Sequence, residues 1–177
     1  SIVGIMSVKT NETEDPMRAL NRGFYLTTAL VSVAMFFVCK TLLATPAAPG
    51  AWLYFFFCAM VGVATSVAFV FITQYYTEYR YRPVQTIAEA SKTGPATNII
   101  MGISVGMEST VMPVITIAIA LVSSFMLGRA SGIMVDGEAA GGLFGTAVAT
   151  MGMLGSAGYI LAMDVFGPIT DNAGGIV

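Results

Sequence analysis

Apolar residues in this chain fall into long blocks separated by short polar connections. Four blocks stand out: about Phe24 to Leu43, Ala51 to Tyr75, Ile99 to Leu127 and Ala139 to Phe166. Each is close to or longer than the ~20 apolar residues that a helix needs to cross ~30 Å of hydrocarbon. None carries the period-two alternation of a membrane strand. Inside a bilayer no water satisfies the backbone, so helices are the remaining way to span. The pattern therefore predicts an all-α, polytopic transmembrane helix bundle, with residues 1–177 forming one membrane domain and helices at about 24–43, 51–75, 99–127 and 139–166.

The connections give an orientation. Residues 6–22 hold Lys9, Arg18 and Arg22, and residues 76–98 hold Arg80, Arg82 and Lys92, which together are six of the eight basic residues. Between the first two blocks lies an uncharged turn, TPAAPG; between the last two, Arg129 is the one basic residue. Lys40, in the last turn of the first block, can snorkel outward. By the positive-inside rule, 6–22 and 76–98 are cytoplasmic loops. The fourth helix then runs inward and carries Asp164 and Asp171 to the cytoplasmic side.

Composition narrows the function classes. The chain is 56% hydrophobic and 10% charged, with a mean hydropathy of +0.79, against ~25% charged in an average soluble domain. That excludes a water-soluble enzyme and a nucleic-acid binder, which would show a basic face. The absence of histidine removes the commonest zinc ligand and serine-triad chemistry. Cys39 and Cys58 lie far apart within apolar blocks and read as buried small residues. The start at Ser1 and the stop at Val177, just past a polar turn, read as an internal fragment of a longer polypeptide.

A few polar positions inside the blocks invite chemistry. Glu108 is an intramembrane carboxylate, a functional candidate by default, or else a group near enough to the cytoplasmic end to reach headgroups or a loop. Ser32, Thr65 and Ser66 read as hydroxyls bonded one turn back along their own helix. Pro113 predicts a kink near Ser109. In the fourth block Gly141, Gly145, Ala149, Gly152, Gly155 and Ser156 supply a small-residue face of the kind that lets helix backbones approach closely. That places the helix in the middle of a bundle. At its inner end, Gly167-Pro168 separates Asp164 from Asp171, so the two acids either flank a break or, in an unbroken helix, share one face. Asp171 and Asn172 offer the hard oxygens that suit Mg²⁺, although Asp-Asn before Gly-Gly also makes a turn. Tyr75, Tyr76, Tyr79 and Tyr81 read as an interfacial belt, with the nearby arginines as headgroup anchors.

Several blocks, in order, resemble the membrane-bound pyrophosphatases, ion pumps that hydrolyse inorganic pyrophosphate. They are ITQYYT (72–77), RPV (82–84), KTGPATNII (92–100), GML (152–154) and DVFGPITDNAGGI (164–176). The likeness is nearly continuous from Trp52 to Val177. Two features depart from the family pattern: Gln74 stands where glutamate is usual, and a charged stretch with Asp136 and Glu138 precedes the small-residue helix.

The resemblance implies a sixteen-helix pump with two concentric helix rings, acting as a homodimer, in a bacterial or archaeal cell membrane or a vacuolar-type membrane. The fourth helix would be one of six inner helices, and the other three would belong to the outer ring. Pyrophosphate would bind as its Mg²⁺ complex, with Asp171 as a metal ligand and through it a substrate-binding residue, and with Asp164 as the second acidic position of that motif. No catalytic residue is assigned within these residues. The choice of H⁺ or Na⁺, and any need for K⁺, rests on helices outside this stretch. The rival readings are a piece of a secondary ion-coupled transporter, with Glu108 and Asp164 on the ion path, and a noncatalytic membrane subunit.

Overall fold

A computed structural model describes residues 1–9, 16–44, 46, 48–134 and 140–176. Every extended element among them is a helix: α1 (Ile2–Ser7), α2 (Pro16–Leu42), α3 (Ala51–Thr77), α4 (Arg82–Ser91), α5 (Pro95–Glu108), α6 (Val111–Ala130), α7 (Gly141–Leu154) and α8 (Ala157–Ile176). Three continuous stretches are long and apolar enough to cross a membrane: Pro16–Leu42, Ala51–Ser91 and Pro95–Ala130. Helices α7 and α8 qualify together as a fourth, broken span bent by 41°. The chain is thus a polytopic helical membrane protein.

Contacts divide it into two compact units. One comprises residues 1–63 and 123–177 and contains α1, α2, the first part of α3, the end of α6, α7 and α8. Its core is Ala51, Phe55, Cys58 and Ala59 of α3 with Val148 and Ala149 of α7. Both cysteines are buried free thiols. Phe55 and Phe144 meet edge to face, with ring centroids 4.9 Å apart. The other unit, residues 64–122, holds the end of α3, α4, α5 and most of α6.

Prolines and glycines set several boundaries. Proline fits the first turn of a helix, where its missing N–H would have no partner anyway, and α2 and α5 both start on one. Gly94, which precedes α5, has a φ of +133° that side-chain-bearing residues rarely adopt. These signals turn much of the expected 76–98 loop into helix: α4 occupies 82–91 and α5 begins at Pro95 instead of Ile99. The kink expected from Pro113 is a lapse in the helix at Ser109–Thr110, between α5 and α6. Proline has no N–H to offer the Ser109 carbonyl. Of the hydroxyls expected to bond back along their helix, Ser32 reaches the Thr28 carbonyl at 2.9 Å.

The fourth block differs most from expectation. Its break lies at Gly155–Ser156, and helix α8 runs through Gly167-Pro168 to Ile176. Pro168 deprives the Asp164 carbonyl of one ladder donor, a loss that membrane helices tolerate when neighbours compensate. The Thr170 hydroxyl bonds back to the Phe166 and Gly167 carbonyls, at 3.1 and 2.7 Å, past the carbonyl that lost its donor.

Candidate functional site

The small-residue face of α7 is the scaffold of the site. Gly141, Gly142, Gly145, Val148, Ala149 and Gly152 are its buried residues. A Cβ on Gly152 would strike the Ala59 carbonyl of α3, and one on Gly62 of α3 would strike the Ala149 carbonyl of α7. Backbone therefore lies on backbone, and each glycine presents a Cα–H to a carbonyl oxygen, a weak hydrogen bond that recurs where helices touch this closely. On the neighbouring side Gly128 of α6 meets Gly141, and a Cβ on Gly145 would stand 2.7 Å from the Ser124 carbonyl. The Cys58 thiol donates to that same carbonyl at 3.4 Å. Gly155, at the end of α7, makes room for Val31 of α2. The glycines and Ala149 singled out on this face, from Gly141 to Gly155, thus abut neighbouring elements.

Beyond the bend, α8 carries the acidic motif. Asp164 and Asp171 are both exposed. Because the helix is continuous between them, seven residues rotate it by about two full turns, so the carboxylates share one face with ~10 Å of rise between them. Asn172 turns its side-chain amide back onto the Pro168 carbonyl at 2.7 Å. Among the described residues no three of His, Cys, Asp and Glu cluster closely enough to enclose a metal. The two aspartates offer donors for part of a site. Asp136 and Glu138 lie outside the described residues, as do Glu12, Glu14 and Asp15.

In the unit formed by residues 64–122, Glu108 finds a partner. It is the last residue of α5, and its carboxylate accepts from the Arg82 guanidinium of α4 at 2.9 Å. Of the two readings left open for this carboxylate, the structure favours contact with a neighbouring segment. Arg80 pairs with Glu78 at 3.3 Å and stacks on Tyr79. Both arginines thus have acidic partners within the chain.

One residue escaped the sequence reading. Tyr159 is the buried side chain of α8, 1% exposed. Its hydroxyl donates to the Leu20 carbonyl of α2 at 2.7 Å, and its ring lies beside Phe24. Gly23 leaves the space that the hydroxyl occupies. The available signal was a lone tyrosine within an otherwise apolar, small-residue segment, since a buried tyrosine hydroxyl needs a partner.

Comparison with known proteins identifies the family to which this scaffold and acidic helix belong. The inorganic H⁺ pyrophosphatase family matches over residues 1–177. Pyrophosphate-energized membrane proton pump 3 of Arabidopsis thaliana is 51% identical over 100% of the chain and 23% of its own length. A K⁺-insensitive pyrophosphate-energized proton pump 2 of Moorella thermoacetica is also 51% identical, over 100% of the chain and 25% of its own length. A putative K⁺-stimulated pyrophosphate-energized sodium pump of Clostridium tetani is 40% identical, over 99% of the chain and 24% of its own length. The chain spans about a quarter of the length of these curated relatives. With its full length matched, and with the small-residue helix leading into GPITDNAGGI, the chain belongs to the inorganic H⁺ pyrophosphatase family.

Proposed function

We propose that this chain is part of an integral membrane pump that couples hydrolysis of inorganic pyrophosphate, taken as its Mg²⁺ complex, to transport of H⁺ or Na⁺. The observation that carries this reading is the pair of exposed carboxylates on one face of α8, within the motif DVFGPITDNAGGI. The names of the relatives, proton and sodium pumps energized by pyrophosphate, agree with it. Those names also differ in K⁺ response, being insensitive in one and stimulated in another. We take any use of K⁺ to rest on residues elsewhere in the assembled pump, which we take to be a homodimer.

The donor set fits Mg²⁺. This ion keeps several waters and takes one or two carboxylates together with phosphate oxygen, rather than a cage made wholly of protein. Asp171 is the ligand in this reading, and through the metal it holds pyrophosphate; Asp164 is the second acidic position. With ~10 Å of helical rise between them, the two cannot both ligate one ion directly. When bound, Mg²⁺ screens the phosphoryl charge and stabilises the leaving oxygen. The chain's own contribution is to hold two carboxylates on one side of a helix that its packed base supports. Residues that orient the attacking water lie elsewhere.

The test is Asp171→Asn in the full-length protein. Mg²⁺-dependent pyrophosphate hydrolysis should be abolished, while the protein remains in the membrane at normal abundance. Near-normal turnover would remove Asp171 from the site.

A further inference from the structure

We infer that Tyr159 is a positioning residue that sets the rotation of α8 about its own axis, and with it the direction in which Asp164 and Asp171 point. This inference rests on the reading of those aspartates as Mg²⁺ ligands. Helix α7 is held by backbone contacts along its length, but the chain bends by 41° at the break that follows. The orientation of α8 is therefore not inherited from α7 and must be set again. The buried residue of α8 is Tyr159, on its first turn. From Leu161 onward the helix is exposed apart from Met163, which is half-buried.

The Tyr159 contact is directional. The hydroxyl donates to the Leu20 carbonyl at 2.7 Å, and the ring packs beside Phe24 at 6.4 Å between centroids. Gly23 leaves room for this placement and for Val8 beside it, because a Cβ there would collide with the Tyr159 hydroxyl, stand 2.8 Å from its ring carbon and 2.6 Å from the Val8 side chain. At about 100° per residue, Asp164 lies ~140° around the axis from Tyr159 and Asp171 lies ~120° around. Seating Tyr159 against α2 thus turns both carboxylates away from α2. Mg²⁺ demands near-ideal octahedral geometry with ligands at ~2.1 Å, so a modest rotation of α8 takes a carboxylate out of ligating range.

The experiment compares full-length wild type with Tyr159→Phe, Gly23→Ala and Asp171→Asn. Two quantities are read: the Mg²⁺ concentration that half-saturates the rise in unfolding temperature without pyrophosphate, and the unfolding temperature without Mg²⁺. Tyr159→Phe should raise the half-saturating Mg²⁺ about two- to tenfold, the range expected for loss of one hydrogen bond, and leave the metal-free unfolding temperature near wild type. Gly23→Ala, which displaces the hydroxyl from the other side, should give a shift of the same size.

An unchanged Mg²⁺ response in both Tyr159→Phe and Gly23→Ala, with the response lost in Asp171→Asn, would overturn the positioning role and leave the metal reading standing. A lower metal-free unfolding temperature with an unchanged Mg²⁺ response would make Tyr159 merely structural. A normal Mg²⁺ response in Asp171→Asn would remove the metal reading, and the role of Tyr159 with it.

Discussion

The crossing of α3 and α7 offers the sharpest test of the packing. In Gly62→Ala, the new methyl falls on the Ala149 carbonyl, with the carbonyl carbon at 2.7 Å and the Met153 nitrogen at 2.8 Å. These are backbone atoms, so no rotamer change can clear the space. To bring the methyl to ordinary contact with that carbonyl oxygen the two helices must part by well over ~1 Å, and a radial gap of only about 0.5–1 Å already forfeits a quarter to a half of each van der Waals contact it opens. Overpacking of a close-packed site costs about 1–3 kcal/mol. Because the obstacle is backbone, the upper half of that range applies. Replacing glycine by alanine inside a helix returns about 1 kcal/mol of propensity. The net expectation is a loss of about 1–2 kcal/mol. Gly152→Ala, which strikes the Ala59 carbonyl at the same crossing, should cost about as much. The double substitution should cost clearly less than the sum, because helices already parted by one methyl make room for the other. The assay is the midpoint of detergent-induced unfolding of the purified full-length protein, for the two single variants and the double. Strict additivity, or single variants as stable as wild type, would refute direct backbone contact between α3 and α7.

Two further outcomes follow from the unit formed by residues 64–122. In a double-mutant cycle with Arg82→Gln and Glu108→Gln, the coupling should be about 0.2–1 kcal/mol, since the side chains are 68% and 46% exposed and exposed pairs rarely exceed that. A coupling several times larger would mean that the pair is desolvated in the full-length protein. Gln74→Glu, which restores the residue usual in the family, should leave the ratio of ions moved to pyrophosphate hydrolysed unchanged. A large change in that ratio would give this departure a role in coupling.

Much of the fold was legible because the membrane imposes a coarse rule. A block of twenty or more apolar residues with no alternation has few options, and the observed helices overlap all four predicted blocks. The small-residue face of α7 was legible for a related reason, since in lipid close backbone approach is what small residues provide. Pro113 marked the lapse at Ser109–Thr110 because the lost hydrogen bond is fixed by covalent structure.

What depended on tertiary partners was harder to read. Gly167-Pro168 carries the strongest local stop signal at the end of the fourth block, yet α8 passes through it. The break falls instead at Gly155–Ser156, where Val31 of α2 presses on the chain. The loop 76–98 was read from its charges, which describe where a segment sits and not whether it is helical. Pro83 and Pro95 were the better guides there. Tyr159 was invisible as an anchor because its partner is a main-chain carbonyl 139 residues away, and a backbone acceptor leaves no mark in the sequence.

The bare contact between α3 and α7 also bears on how movement travels between neighbouring helices. Packed helices usually slip past one another by fractions of an ångström because side chains change rotamer and absorb the shift. Where Gly62 rests on the Ala149 carbonyl and Gly152 on the Ala59 carbonyl, that cushioning is absent. A push on α7 at this crossing meets the α3 backbone with no side chain between to absorb it. Compliance is left to the joint at Gly155–Ser156, a few residues from the acidic helix.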